Sequence, residues 1–218
     1  MLEEIKLIRN KPIIDNVYGF EKYHGTDFKT LRKLAKQIAK EKQYDYFKNE
    51  HESFEEILIH AYAIGYLKED INYMISLIKD FVKYVTNWAI NDVLCQNMLF
   101  ARKYQKEVFD YLLTLIDSSN EWEKRIVEVT LLSHYLNENY IDKVIDVAHK
   151  LVPNTYMSKM GYAWLLATMM AKFPTKTMEF MQKTTIDSWT YNKAIQKMIE
   201  SFRVSTEDKI LLKSMKRK

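Results

Sequence analysis

Apolar residues recur at helical spacing along almost the whole chain, and short polar segments interrupt them. Residues three and four apart share one face of a helix, so each such segment predicts an amphipathic α-helix. No stretch alternates apolar and polar residues for long enough to predict a β-sheet. The pattern predicts five helix pairs and a last helix, over residues 27–42 with 53–67, 70–85 with 88–102, 104–117 with 120–137, 139–152 with 155–172, 174–184 with 188–202, and 206–216.

Local signals support these boundaries. Ser53 followed by Glu56 is a capping box that opens a helix, and Pro174 fits the first turn of another. Residues 117–120 and 153–154 form polar breaks between helices. The later pairs begin roughly 35 residues apart, which is the repeat length of two-helix solenoids. We therefore predict an all-α fold, specifically a right-handed α-solenoid of helical repeats.

Composition agrees with a helical domain. The chain has 218 residues but only 4 Gly and 3 Pro, which favours helices joined by short connections and a single domain over 1–218. Residues 1–26 are expected to hold one short helix and an irregular segment. The single cysteine, Cys95, excludes an internal disulfide, and we expect it to be a buried small apolar residue.

Charge and hydropathy set the expected compartment and ligands. The opening residues MLEEIKLIRNK carry too much charge for a signal peptide, and no apolar run approaches the roughly 18 residues of a membrane span. We therefore expect a cytoplasmic protein with no membrane partner. The net charge of +4 permits an anionic partner without requiring one. The 5 histidines form no pair at zinc-ligand spacing, so we expect no metal.

Two tryptophans, an aspartate and an arginine stand out in the second helices of successive pairs. Trp88 and Asp92 are four apart and share one helix face, Arg125 lies in the third pair, and Trp164 lies in the fourth. Second helices usually line the concave wall of a solenoid. The four side chains are therefore predicted to face one cleft, within about 10–15 Å if each helix is about 10 Å wide. They suit a cationic ligand that carries sugar and phosphate.

Six blocks of sequence occur in order from about Asp15 to the C-terminus. They are DNVYG at 15–19, TLRKLAKQIAK at 30–40, NWAINDVLC at 87–95, EWEKR at 121–125, GYAWLLA at 161–167 and TYNKAIQKMIESFRVSTEDK at 190–209. Together they resemble the DNA alkylation repair family, the AlkD-like glycosylases built from HEAT-like repeats. Each block alone is weak evidence, and the resemblance depends on their joint occurrence.

The resemblance implies a reaction and a role for each of the four residues. The implied reaction releases positively charged N3- or N7-alkylated purines from duplex DNA by hydrolysis of the N-glycosidic bond, without a base-flipping pocket. Asp92 matches the catalytic carboxylate, which would stabilise oxocarbenium character on the sugar. Trp88 and Trp164 match aromatic residues that pack on the lesion nucleotide. Arg125 matches the residue that holds a nearby phosphate. No cofactor is implied.

Basic residues at other positions are candidates for contacts to the DNA backbone. Phosphate contacts supply most of the affinity of a DNA-binding protein. Acidic residues are interspersed almost everywhere, so solubilising charge is the alternative for any single lysine or arginine. The candidates are Arg32, Lys36, Lys159, Lys193, Lys197 and Arg203. We expect a monomer that, if active in a prokaryote, associates with the nucleoid.

Each of these residues also has a purely structural interpretation. The tryptophans are compatible with packing, Asp92 with a solvated helix position, and Arg125 with an ion pair to Glu121 or Glu128 at helical spacing. Active members of the resembled family carry an additional N-terminal hairpin, for which the segment before Thr26 is short, so we expect a compact branch. The alternative function is a catalytically silent helical-repeat protein that binds nucleic acid or a protein partner.

Overall fold

The all-α fold is confirmed in a computed structural model, which describes residues 3–12 and 22–218. Over those residues the regular secondary structure is helical and no strand occurs. The block DNVYG at 15–19, with most of the irregular segment expected before residue 26, lies outside the described residues.

Helix positions agree closely with the predicted pairs. The first helices of the later pairs begin at residues 71, 105, 141 and 174, so the recurrence near 35 residues is confirmed. The twelve α-helices of the described residues are α1 (Glu3–Arg9), α2 (Phe28–Lys40), α3 (Phe54–Tyr66), α4 (Ile71–Phe81), α5 (Trp88–Asn97), α6 (Gln105–Leu113), α7 (Glu121–Thr130), α8 (Ile141–Lys150), α9 (Tyr156–Lys172), α10 (Pro174–Lys183), α11 (Ser188–Glu200) and α12 (Thr206–Ser214).

Side-chain caps explain why these helices start where they do. Ser53 caps α3, as predicted: its hydroxyl accepts from the Glu56 amide, and the Glu56 carboxylate reaches back to accept from the Glu52 amide over 3.1 Å. Asn87 and Asn120 cap α5 and α7 by accepting from backbone amides of the first turn. Pro174 is the first residue of α10, where its missing N–H costs no hydrogen bond.

Several local elements differ from the prediction. The helices predicted over 70–85 and 88–102 are α-helical only to Phe81 and Asn97, and each is followed by a short 3₁₀ helix. The helix predicted over 120–137 is α-helical only to Thr130 and then widens into a π-helical turn, Leu131–Tyr135. A 3₁₀ helix, Tyr44–Lys48, was not predicted. A tertiary contact helps to hold it, because the Tyr46 hydroxyl donates to the Glu56 carbonyl oxygen over 2.9 Å. Helical periodicity carries no information about such a contact.

The chain divides into two compact units, Met1–Val108 and Phe109–Lys218. In the first unit α3 is almost entirely buried and packs against α2 and α5. In the second unit α9 fills the corresponding role, because it packs against α7, α10 and α11. Each unit therefore builds its core on one buried helix. The assignment of 1–218 to a single domain stays a prediction.

The short N-terminal helix is confirmed as α1, and buried carboxylates tie this region to α3. Arg9 Nη2 donates to Glu56 Oε1 over 2.6 Å, and Glu56 is almost fully buried. Glu55 Oε1 accepts from the His24 and Thr26 amides at 2.8 and 3.2 Å. Hydrogen bonds to a charged group contribute about 1.5–3 kcal/mol each to stability, so the two bonds to Glu55 hold residues 24–26 against α3.

A histidine pair lies inside the first unit. His51 Nε2 and His60 Nδ1 are 2.6 Å apart, so one ring nitrogen donates and the other accepts. The rings of Tyr46, Phe81 and Tyr84 surround the pair. Burial lowers the pKa of His51 to about 4 and that of His60 well below 6.5. The fold therefore keeps both imidazoles neutral at pH 7.

Acidification is expected to destabilise the first unit through this pair. In the unfolded chain both histidines take up protons near pH 6.5, whereas the folded chain resists protonation until about pH 4. The stabilisation is present above pH 6.5 and is lost as the pH falls, at up to about 1.4 kcal/mol per pH unit for each histidine. Urea unfolding between pH 7.5 and 5 measures this slope. His51→Gln should flatten it, and the exposed His149→Gln should not; equal slopes for all three proteins would contradict the expectation.

Candidate functional site

The start of α5 places an indole and a carboxylate on one face. Asn87 caps the helix by accepting from the Ala89 and Ile90 amides at 2.8 and 3.2 Å. Trp88 is therefore the first helical residue, and its side chain is exposed. Asp92 follows one turn later with only 7% of its surface exposed. The interpretation of Asp92 as a solvated helix residue is wrong.

Close backbone packing holds the other end of α5. A β-carbon at Gly65 of α3 would lie 2.2 Å from the carbonyl oxygen of Asn97, the last residue of α5. Only glycine allows the two helices to come this near. Ile90 and Leu94 bury the opposite side of α5. The position of the Trp88–Asp92 turn is thus set by a cap at one end and a tight helix contact at the other.

Arg125 is a buried residue of α7 with a fixed guanidinium. Its Nη1 donates to the carbonyl oxygen of Met157, in the first turn of α9, over 2.7 Å. The neighbouring Lys124 donates to the Val152 carbonyl oxygen over 2.9 Å. Lys124 therefore holds the connection between α8 and α9, and Arg125 holds the first turn of α9, against α7. The hydrogen bond orients Arg125 within the second unit.

A buried carboxylate that sequence reasoning did not assign to the site lies one turn after Arg125. Glu128 is fully buried, and its Oε1 accepts from the Ser158 hydroxyl over 2.6 Å. A β-carbon at Gly161 would lie 2.2 Å from Glu128 Oε2, so glycine at this position makes room for the carboxylate. The available signals were a glutamate inside the apolar run IVEVT and a glycine in the middle of a helix.

Trp164 of α9 lines an open cleft of about 400 Å³ beside α11. Lys197 and Arg203, two of the predicted DNA-contacting residues, line the same cleft, as does Glu200. Phe202 stands in the turn after α11 with a relative exposure of 102%, so no neighbour covers its ring. The structure thus brings one predicted aromatic residue and two predicted basic residues together.

The remaining basic candidates form two separate groups. Lys159 and Lys193 each place their ammonium 5.9 Å from the ring centre of Trp189, near the start of α11. In the first unit, the Arg32 guanidinium lies 5.2 Å from the Tyr62 ring centre, and Lys36 is paired with Tyr66 over 5.4 Å. All four cations lie at cation–π distance, an attraction worth about 0.5–1 kcal/mol at exposed sites.

The predicted four-residue site falls in two halves. Trp88 and Asp92 belong to the first unit, and Arg125 and Trp164 belong to the second. Within the second unit, Arg125 and Trp164 both depend on α9, because Arg125 binds its first turn and Trp164 lies two turns later. The convergence of all four side chains on one cleft stays a prediction.

Three further findings concern the described residues. They contain no cluster of three or more histidine, cysteine, aspartate or glutamate side chains placed to bind a metal ion. None of their helices combines the length and the apolar character that crossing a membrane requires. Cys95 is fully buried in α5, as expected.

Comparison with known proteins gives one match. The family model described as "DNA alkylation repair enzyme" matches residues 11–198. No curated protein and no solved structure matches the chain.

Proposed function

The chain belongs to the DNA alkylation repair enzyme family, and from this premise we propose that it is a DNA N-glycosylase for positively charged N3- and N7-alkylated purines. The family membership supports a role in DNA repair. The observation that carries the finer proposal is the turn at the start of α5, where an exposed indole precedes a nearly buried carboxylate. The indole of Trp88 offers a surface on which a nucleotide can pack, and the carboxylate of Asp92 offers a negative charge near its sugar.

The proposed reaction is hydrolysis at C1′ of the lesion nucleotide. The C1′–N bond breaks, and its electron pair neutralises the alkylated purine, which leaves as the free base. Water adds its oxygen to C1′ and loses a proton to solvent, so an abasic site remains. Asp92 stabilises the positive charge that builds on the sugar and orients the water. Because Asp92 is largely shielded from bulk water, its attraction to the cationic sugar is stronger than it would be at an exposed position.

The other three residues hold the lesion nucleotide. Trp88 and Trp164 pack on its sugar and backbone, where their electron-rich faces favour cationic groups. Arg125 contacts a phosphate, with its orientation set by the hydrogen bond to Met157. In this proposal the paired helices form the right-handed HEAT-like solenoid that the repeat predicts, and these side chains face its concave wall.

The proposed function can be tested by comparing the release of cationic and neutral bases. A purine that is already cationic leaves without protonation, so a surface lacking a base pocket needs no general acid. We expect release of 7-methylguanine and 3-methyladenine from duplex DNA, measured by chromatography of the free bases, and no release of neutral uracil from a matched duplex. Release of uracil at a comparable rate, or of no base at all, would contradict the proposal. The second outcome favours a catalytically silent nucleic-acid-binding repeat protein.

Arg125→Ala is expected to weaken binding to duplex DNA and to flatten its salt dependence. Each neutralised phosphate contributes about 0.9 to the slope of log K against log salt, so the slope should fall by about that amount. Fluorescence anisotropy titrations over a salt series measure it. Arg125→Lys should keep most of the slope, and Lys150→Ala, an exposed change on α8, should keep all of it. An unchanged slope for a folded Arg125→Ala protein would remove the phosphate role.

A further inference from the structure

Exposed aromatic rings cluster on one surface of the second unit. Tyr156 at the start of α9 is 62% exposed, and Trp189 at the start of α11 is 43% exposed. Their ring centres are 5.8 Å apart. At the other end of α11, Phe202 is fully exposed beside the cleft that Trp164 lines. We call this surface, with the lysines between its two ends, the α9–α11 face.

Cations lie between the two aromatic ends. Trp189, Lys193 and Lys197 are spaced four apart on α11, so they follow one helix face over about 12 Å at 1.5 Å per residue. Lys159 reaches the same indole from α9. Arg203 follows Phe202 at the far end. Basic side chains therefore lie between and beside the two aromatic ends of the face.

Two carboxylates belong to this surface, and neighbouring side chains engage both. Asp187 accepts from Lys159 over 3.2 Å and from the Thr190 hydroxyl over 2.7 Å. Glu200 accepts from the Gln196 amide over 2.8 Å. The surface carries four cations and these two carboxylates. It therefore has an excess of positive charge and is complementary to a chain of phosphates.

We propose that the α9–α11 face binds single-stranded DNA by stacking its unpaired bases. Binding to phosphates would require only the cations. The exposed rings add favourable stacking with base faces, and these faces are accessible in a single strand but are covered by neighbouring bases in a duplex. The Tyr156–Trp189 pair holds one base and Phe202 holds another. From Trp189 to the end of α11 at Glu200 the helix covers about 17 Å at 1.5 Å per residue, which spans about five nucleotides at roughly 3.4 Å each. This binding does not depend on base release by Asp92.

Equilibrium binding of fluorescein-labelled dT12 tests the proposal. Trp189→Ala and Phe202→Ala should each weaken binding by about 10- to 100-fold, because one stacked base contributes about that factor. Phe202 has no covering neighbour, so its replacement leaves the fold intact and keeps the test valid even if Trp189→Ala unfolds. Ile210→Ala removes an exposed apolar side chain from α12 and should leave the affinity unchanged.

An abasic strand of twelve residues separates stacking from charge, because it keeps the phosphates and lacks the bases. The wild type should bind it more weakly than either single variant binds dT12, because both stacking contacts are lost. The proposal is overturned if the Phe202→Ala protein binds dT12 with the wild-type Kd, or if the wild type binds both strands equally. Asp92→Asn should leave this affinity unchanged, so loss of base release and loss of strand binding are distinguishable.

Discussion

Asp92→Asn is expected to lower the single-turnover rate of 7-methylguanine release by about 100- to 1000-fold while leaving affinity for duplex DNA nearly unchanged. The carboxylate's interaction grows as the sugar becomes cationic and is weak in the ground state, so its loss affects the rate and spares binding. One electrostatic contact of this kind contributes roughly 3–4 kcal/mol to the transition state. Rapid-quench kinetics with enzyme in excess, paired with anisotropy titrations, separate the two quantities.

Asp80→Asn provides the matched control, because it removes an exposed carboxylate from α4 in the same unit. Its rate and affinity should equal those of the wild type. If Asp92→Asn releases the base as fast as the wild type, Asp92 is not the catalytic carboxylate. If Asp92→Asn loses affinity in parallel with rate while Asp80→Asn loses neither, Asp92 acts through binding and the proposed mechanism fails.

Gly65→Ala is expected to destabilise the first unit and to slow base release in the fraction that folds. The new methyl group would lie 2.2 Å from the Asn97 carbonyl oxygen, a rigid backbone atom, so α3 and α5 must separate. Overpacking of this kind costs about 1–3 kcal/mol, which exceeds the gain of up to about 1 kcal/mol from the helix propensity of alanine. Displacing α5 by about 1 Å moves Asp92, and misplacement on that scale costs on the order of 100-fold in rate.

Urea unfolding followed by circular dichroism measures the loss of stability. Ser76→Ala, an exposed change on α4, controls for helix propensity and should be neutral or slightly stabilising. A Gly65→Ala protein as stable and as active as the wild type would show that α5 is not held by this contact. Gly161→Ala offers a parallel case in the second unit, where the methyl group would meet the Glu128 carboxylate.

Helix positions were predictable because their determinants are local. The side chains of Ser53, Asn87 and Asn120 cap the helices that follow them, and Pro174 begins a first turn. Each acts within one turn of its own position, so sequence patterns reveal it. The π-helical turn after Thr130 was missed because its hydrogen-bond pattern leaves no signature in the apolar spacing.

Site properties were predictable only in part, because burial depends on residues distant in sequence. The spacing of Trp88 and Asp92 indicated a shared face, but the near burial of Asp92 was not evident, since α5 lies against α3. Glu128 became notable only once Ser158 and Gly161 were seen around it. These features arise from helix packing, which periodicity does not encode.

The glycosylase activity is tested by release of 7-methylguanine from methylated duplex DNA, measured with the wild-type protein and compared with the spontaneous rate without protein. We expect release well above the spontaneous rate, with one abasic site formed for each free base. A rate equal to the spontaneous one, in a protein that is folded and binds the duplex, would contradict the glycosylase proposal and leave the silent nucleic-acid-binding repeat protein in its place.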